Sequence, residues 1–198
     1  MIKAAILKSK MSRVRVLLLM ISAFPISVSI YGQVQLTTSE LVKDTVHWKL
    51  LSEGEYEIQY PDSWEVSNSG QMGTTFVILS PLSSELDQFR ENVNLMVQDL
   101  AGYSLTLDQY VELSENQIET LITDGKISFS ERQEREGVQY HKAIYTGRQG
   151  IFKLKFEQLY WLVGDTAYIL TLTCEEDQYE KYKEIGGLIL KSFELKKS

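Results

Sequence analysis

The sequence predicts an α+β fold, an antiparallel sheet of about six to seven strands with helices laid over it. Three observations carry this. Stretches with an apolar period of two come in runs rather than alternating one for one with helices, as antiparallel hairpins do. Two longer stretches, around 107–122 and 177–190, repeat at helical spacing instead. The longest alternating stretch, Ile151 to Cys174, reads as one hairpin at the centre of the sheet. Phe152, Leu154, Phe156, Tyr160 and Leu162 share a face, Lys153, Lys155 and Glu157 take the other, and Gly164-Asp165 fits a tight turn.

The chain opens on a different kind of segment. Lys3, Lys8, Lys10, Arg13 and Arg15 precede an apolar run from Val16 to Ile30, and no acid appears before Glu40. A positive start and a short apolar run describe a secretory signal peptide, here residues 1–32, with Met11 as a second candidate start and cleavage near Gly32-Gln33. Pro25 and the interspersed serines make the run a poor membrane span, which needs about 20 apolar residues. No integral span is therefore expected after leader cleavage. No cysteine stands at the cleavage point, so a lipoprotein is not expected. The predicted destination is the periplasm or the extracellular space. Residues 33–50 read as a polar lead-in, with Leu41, Val42 and Trp48 tacking it down, and 51–198 as a single domain.

Within the domain, Tyr56, Ile58 and Tyr60 alternate as a strand that Pro61 ends. Asp62-Ser63 turn the chain, and Trp64 and Val66 begin a second strand. Thr74 to Ser80 is a continuous apolar run, the mark of a strand buried on both faces. Val93, Leu95 and Val97 form the next strand. Thr106 and Gln109 then have capping-box spacing, and Leu107, Tyr110, Val111, Ser114, Ile118, Leu121 and Ile122 follow at helical spacing, with Gly125 as the expected stop. Ile127–Gln133 and Val138–Thr146 read as a hairpin turning at Glu134–Gly137. After the central hairpin comes a helix from about Asp177 to Leu190, with Tyr179, Tyr182, Ile185, Ile189 and Phe193 inward. Gly186-Gly187 costs that helix roughly 1 kcal/mol per glycine, which close approach to the sheet would explain. Phe193 to Leu195 reads as a short edge strand.

Composition excludes more than it assigns. The chain has 198 residues, 43% hydrophobic and 24% charged, ordinary for a globular protein. Its single cysteine, Cys174, forms no intramolecular disulfide and reads as a small buried hydrophobe. Removing the leader's five basic residues moves the net charge from −7 to −12. Such a chain is repelled by phosphate backbones, so nucleic acid is not an expected partner. Glu112, Glu115 and Glu119 form a solvated helix face rather than a metal site. His47 and His141 stand in no catalytic motif, and H-E-x-x-H, G-x-S-x-G and C-x-x-C are absent. The sequence therefore predicts no enzyme, no catalytic residue, no metal and no cofactor.

Tyr56-Glu57-Ile58-Gln59-Tyr60-Pro61-Asp62-Ser63-Trp64 resembles the strand, Tyr-Pro, x-x-Trp opening of the PsbP-like superfamily, which includes the DcrB-like bacterial envelope proteins. Asn92-Val93-Asn94-Leu95, the helix start Leu107-Asp108-Gln109-Tyr110 and the closing Lys191-Ser192-Phe193 are similar too. The resemblance spans about Leu51 to Leu195. It implies an αβα sandwich, a single antiparallel sheet with helices on both faces, and a non-catalytic binding or assembly role. The photosynthetic members' N-terminal segment has no match here, so a photosystem role is not implied, and no site residue is carried over.

The leading expectation is thus an exported accessory protein that binds another envelope protein. The predicted contact is the strip Lys153, Lys155, Glu157 and Trp161, because mixed charge and aromatic side chains suit an interface. The other reading of Trp161 is core beneath a second helix layer. A small-ligand carrier with an apolar pocket between sheet and helix stays open, as does an envelope enzyme with an unrecognised carboxylate site.

Overall fold

The computed structural model describes residues 46–68, 70 and 73–196. The predicted leader, its cleavage point and most of the lead-in lie outside them. The element order is β1 (Trp48–Glu53), β2 (Tyr56–Pro61), β3 (Glu65–Ser67), β4 (Thr74–Leu79), β5 (Asn92–Asp99), α1 (Leu107–Leu121), β6 (Thr123–Arg135), β7 (Val138–Gln149), β8 (Phe152–Val163), β9 (Thr166–Glu175), α2 (Tyr179–Lys191) and β10 (Glu194–Leu195).

The strands form two antiparallel sheets rather than the single one expected. Seven strands run β3-β4-β5-β9-β8-β7-β6, and three run β1-β2-β10. The division falls at Pro61. The Trp64 amide donates to the Pro61 carbonyl, and this turn sends β3 to the large sheet while β2 stays with β1. β8 and β9 lie at the centre, paired from Leu154↔Glu175 to Val163↔Thr166. Gly164 takes φ +58° in the connecting turn, the conformation that a primed turn opening on glycine requires.

Side-chain parity along β9 divides the core. Tyr168, Leu170, Leu172 and Cys174 join Trp64, Leu159, Trp161 and the α2 residues Tyr179, Tyr182, Ile189 and Leu190 in one apolar cluster. Ala167 and Ile169 join a second cluster with Tyr110, Val111 and Leu113 of α1. A third gathers Ile118 with Phe89, Tyr145, Leu154 and Phe156.

The α1 capping box forms as its spacing predicts. The Gln109 amide donates to Thr106 Oγ1 at 3.3 Å, and the Thr106 amide donates to Gln109 Oε1 at 2.9 Å. Gly125 is not the helix stop. Ile122 is already extended, and Gly125 lies in β6, where a Cβ would sit 2.1 Å from the Ile118 carbonyl oxygen. Only hydrogen fits there. Gly186 has a comparable role in α2, since its Cβ would lie 2.6 Å from a Leu172 methyl, whereas a Cβ on Gly187 meets nothing within 4 Å.

Candidate functional site

The four residues predicted as a contact strip divide sharply. Lys153 is exposed at the start of β8. Lys155 places its Nζ 4.0 Å from the centre of the Tyr179 ring. Glu157 is buried; it accepts from Tyr179 Oη at 3.0 Å and pairs with Lys142 Nζ at 2.6 Å. Trp161 is 4% exposed and packs against Tyr140 at 5.5 Å and Phe193 at 5.1 Å between ring centroids. Trp161 is core. Strand periodicity placed these side chains on one face, but could not say that α2 and the chain end take up most of it.

A groove opens elsewhere. Trp48 and Leu50 of β1, Glu57 and Gln59 of β2, Glu194 of β10, and Leu188, Lys191 and Ser192 at the end of α2 enclose about 270 Å³. Ser192 fastens the helix end to the small sheet: its Oγ accepts from the Gln59 amide at 2.9 Å while its proton goes to the Ile189 carbonyl at 2.7 Å, within α2. Leu50 is 57% exposed, large for a leucine beside a groove. Trp48 Nε1 is buried with no hydrogen-bond partner among the described residues. Glu57 and Glu194 are direct cross-strand partners. Like charges in that position repel. The sequence hinted at this site only through Trp48, an aromatic standing apart from any apolar run.

A second feature is a polar rung across the large sheet. Asn94, Thr171, Gln158, Ala143 and Ser130 are successive cross-strand neighbours from β5 to β6. Gln158 holds its middle. Its Nε2 donates to Thr171 Oγ1 at 2.8 Å, and its Oε1 accepts from the Tyr145 and Tyr160 hydroxyls. Burial pushes both phenols well above their ordinary range, so they act as fixed donors. Asn94 Oδ1 has no partner among the described residues. At the outer end Ser130 Oγ donates to Glu115 and lies 2.7 Å from His141 Nε2. With the hydroxyl proton given to Glu115, His141 Nε2–H is the donor to Ser130. Burial holds His141 below its usual pKa, keeping it neutral. This is not a nucleophile triad, because the carboxylate sits on the serine rather than orienting the imidazole.

Glu91 is the third feature. It is 2% exposed, and Ser80 Oγ donates to it at 3.3 Å. Burial, then the neighbouring charges Asp87 and Glu175, raise its pKa to about 7. The adjacent Arg90 is spent elsewhere, on the Ser80 and Leu79 carbonyls and Glu65. The Cys174 thiol nearby is fully buried and pushed up by burial, which makes it inert. Among the described residues no group of three or more His, Cys, Asp or Glu could hold a metal ion. No helix among them is long and apolar enough to cross a membrane.

No family model and no curated protein matches the chain. Solved structures do. The cyanobacterial PsbP of Synechocystis superposes with a TM-score of 0.58 at 14% identity, covering 85% of this chain and 99% of that one. LpqN of Mycobacterium tuberculosis, involved in cell envelope biogenesis, gives a TM-score of 0.56 at 9% identity over 82% and 98% of the two chains. A Pseudomonas aeruginosa protein of unknown function gives 0.56 at 14% identity over 77% and 99%. The fold is thus PsbP-like, as the sequence resemblance implied.

Proposed function

We propose that this protein is an exported, non-catalytic accessory protein that acts through protein–protein contacts in the cell envelope, with the groove between the small sheet and the end of α2 as its contact site. The single observation that carries the reading is the groove itself. It joins the exposed Leu50 with the carboxylates of Glu57 and Glu194 and the amine of Lys191 along one open surface. Such a mixed surface suits a polypeptide better than an apolar small ligand. The leader-like start supports export, and LpqN, which shares the fold, is described as involved in cell envelope biogenesis. The split of β9 between two clusters, one with each helix, supports an αβα sandwich with α1 and α2 on opposite faces. Of the predicted strip, Lys153 keeps its side chain free for a contact, while Trp161 and Glu157 are taken up internally.

The test is an affinity capture of the tagged chain from its native envelope fraction, beside a Leu50→Asp variant of equal thermal stability. The expected result is one protein recovered by the wild type and lost by the variant. Equal recovery by both moves the contact off the groove. If a small molecule co-purifies and no protein does, the carrier reading replaces this one.

A further inference from the structure

Segment 81–90 leaves β4 and returns into β5 as a loop with its own fastenings. At its base the Ser80 amide donates to the Glu91 carbonyl at 2.8 Å. Within it the Asp87 carboxylate accepts from the Ser83 amide and hydroxyl, both at 2.8 Å, and from the Phe89 amide at 3.1 Å. Phe89 is buried and seats its ring 5.2 Å from that of Phe152, in the third apolar cluster at one end of the large sheet. Leu86 is 90% exposed, so Phe89 is the loop's apolar anchor.

Two carboxyls are buried among the described residues, Glu157 and Glu91. Glu157 pairs with Lys142, whereas Glu91, at the closing end of this loop, makes no ion pair. Every group that faces it is neutral or negative. Ser80 Oγ donates to it from the end of β4, and Tyr182 of α2 and Cys174 of β9 are held as neutral groups by burial. Asp87 of the loop and Glu175 of β9 are carboxyls, and Asp177 stands beside Glu175. The cations of these elements are engaged elsewhere. Arg90 bonds the Leu79 and Ser80 carbonyls and Glu65, Lys155 lies over the Tyr179 ring, and Lys181 lies over the Tyr182 ring. Protonated, Glu91 needs only hydrogen bonds. Ionised, it is a bare charge in apolar surroundings, pushed by Asp87, the residue that holds the loop's internal bonds. Moving out to water parts the two ends of the loop, because the Ser80 amide is bonded to the carbonyl of Glu91 itself.

We infer that segment 81–90 is a latch over the Phe152 end of the large sheet, shut while Glu91 holds a proton and released when that carboxyl ionises. Release withdraws Phe89 and bares the ring of Phe152, so this apolar surface is covered in acid surroundings and uncovered in neutral and alkaline ones. The Glu91 pKa, raised from 4.5 to about 7, sets the window. The advantage of the closed loop is complete below the open-state value, is lost as pH rises through the closed-state value, and is level beyond it.

The test is native-state amide hydrogen exchange of the full chain from pH 5 to pH 8, corrected for intrinsic exchange rates and repeated in low urea. The amides of Ser83, Asp87 and Phe89 are expected to lose about fiftyfold in protection across that range. The loss is expected to depend hardly at all on urea, the mark of a local opening rather than of global unfolding. Glu91→Gln keeps the shape and cannot ionise, so protection of those amides is expected to stay level with pH. Glu175→Gln removes one facing charge and is expected to leave a smaller fall, while Glu119→Gln on the exposed face of α1 leaves the fall unchanged. A wild-type loop whose protection is flat with pH, an equal fall in Glu91→Gln, or a fall carrying the full urea dependence of global unfolding overturns the latch. Should Glu91→Gln fail to fold, Glu175→Gln decides: a smaller fall supports the latch and an unchanged one overturns it.

Discussion

The rings of Trp161 and Phe193 lie 5.1 Å apart, centroid to centroid. The most prominent aromatic of the central strand is therefore a seat for the end of the chain. Trp161→Ala removes that seat and leaves a large cavity, so a loss of about 3–5 kcal/mol is expected in urea unfolding. Lys153→Ala, on the same strand but exposed, is expected to change stability by no more than about 0.5 kcal/mol. Equal effects of the two substitutions would overturn this assignment.

Glu91 makes stability depend on pH. Its folded pKa is raised to about 7 from 4.5. A raised carboxyl contributes stability that is complete below the unfolded pKa and is lost as pH rises through the folded one. Between pH 4.5 and pH 8 the loss amounts to about 3 kcal/mol. Asp87, Glu175, Cys174 and Tyr182 face the same carboxyl, and none is a cation. His141, held low, acts in the opposite sense, adding stability above its unfolded value that fades as pH falls. Comparing wild type with Glu91→Gln separates the two. The variant is expected to hold a flatter melting temperature from pH 5 to pH 8.5, and an unchanged slope would remove Glu91 from the account.

The adjacent glycines of α2 are predicted to respond with opposite signs. Gly186→Ala drives a methyl into the fully buried Leu172 and is expected to cost about 1–3 kcal/mol. Gly187→Ala meets nothing, so the helix gains about 0.5–1 kcal/mol from alanine's better propensity. Thermal melts of the two variants decide it.

The polar rung is expected to be unequal along its length. Gln158→Leu strands two phenolic hydroxyls and Thr171 at once, which costs about 2–4 kcal/mol if at least two of the orphaned groups stay dry. Asn94→Leu removes an oxygen that already lacks a partner, so a smaller loss is expected. Denaturant midpoints in the reverse order would show that the rung is held from Asn94 rather than from Gln158.

What the sequence disclosed was local. Alternation from Phe152 to Leu162 and the glycine of the following turn marked the central hairpin, and Thr106 with Gln109 marked the start of α1. Pairing between distant segments leaves no such trace. Parity says which face a strand residue occupies, not which strand lies beside it. Glu57 facing Glu194 and the rung from Asn94 to Ser130 could be seen only once the register was known. The mistaken helix stop at Gly125 has the same origin, because the glycine answers to crowding against Ile118 rather than to a helix terminus.

The small sheet joins the first strand pair to the last. Glu194 and Leu195 pair with Glu57 and Tyr56, and Ser192 bonds to Gln59 across 133 positions of sequence. Closing so long a loop is slow, and it waits on residues that leave the ribosome late. Until then the first two strands have no third strand to pair with and β8 lacks the aromatic cover of Phe193. The small sheet is therefore completed only when residues 192–195 dock, whereas the seven strands of the larger sheet pair without them.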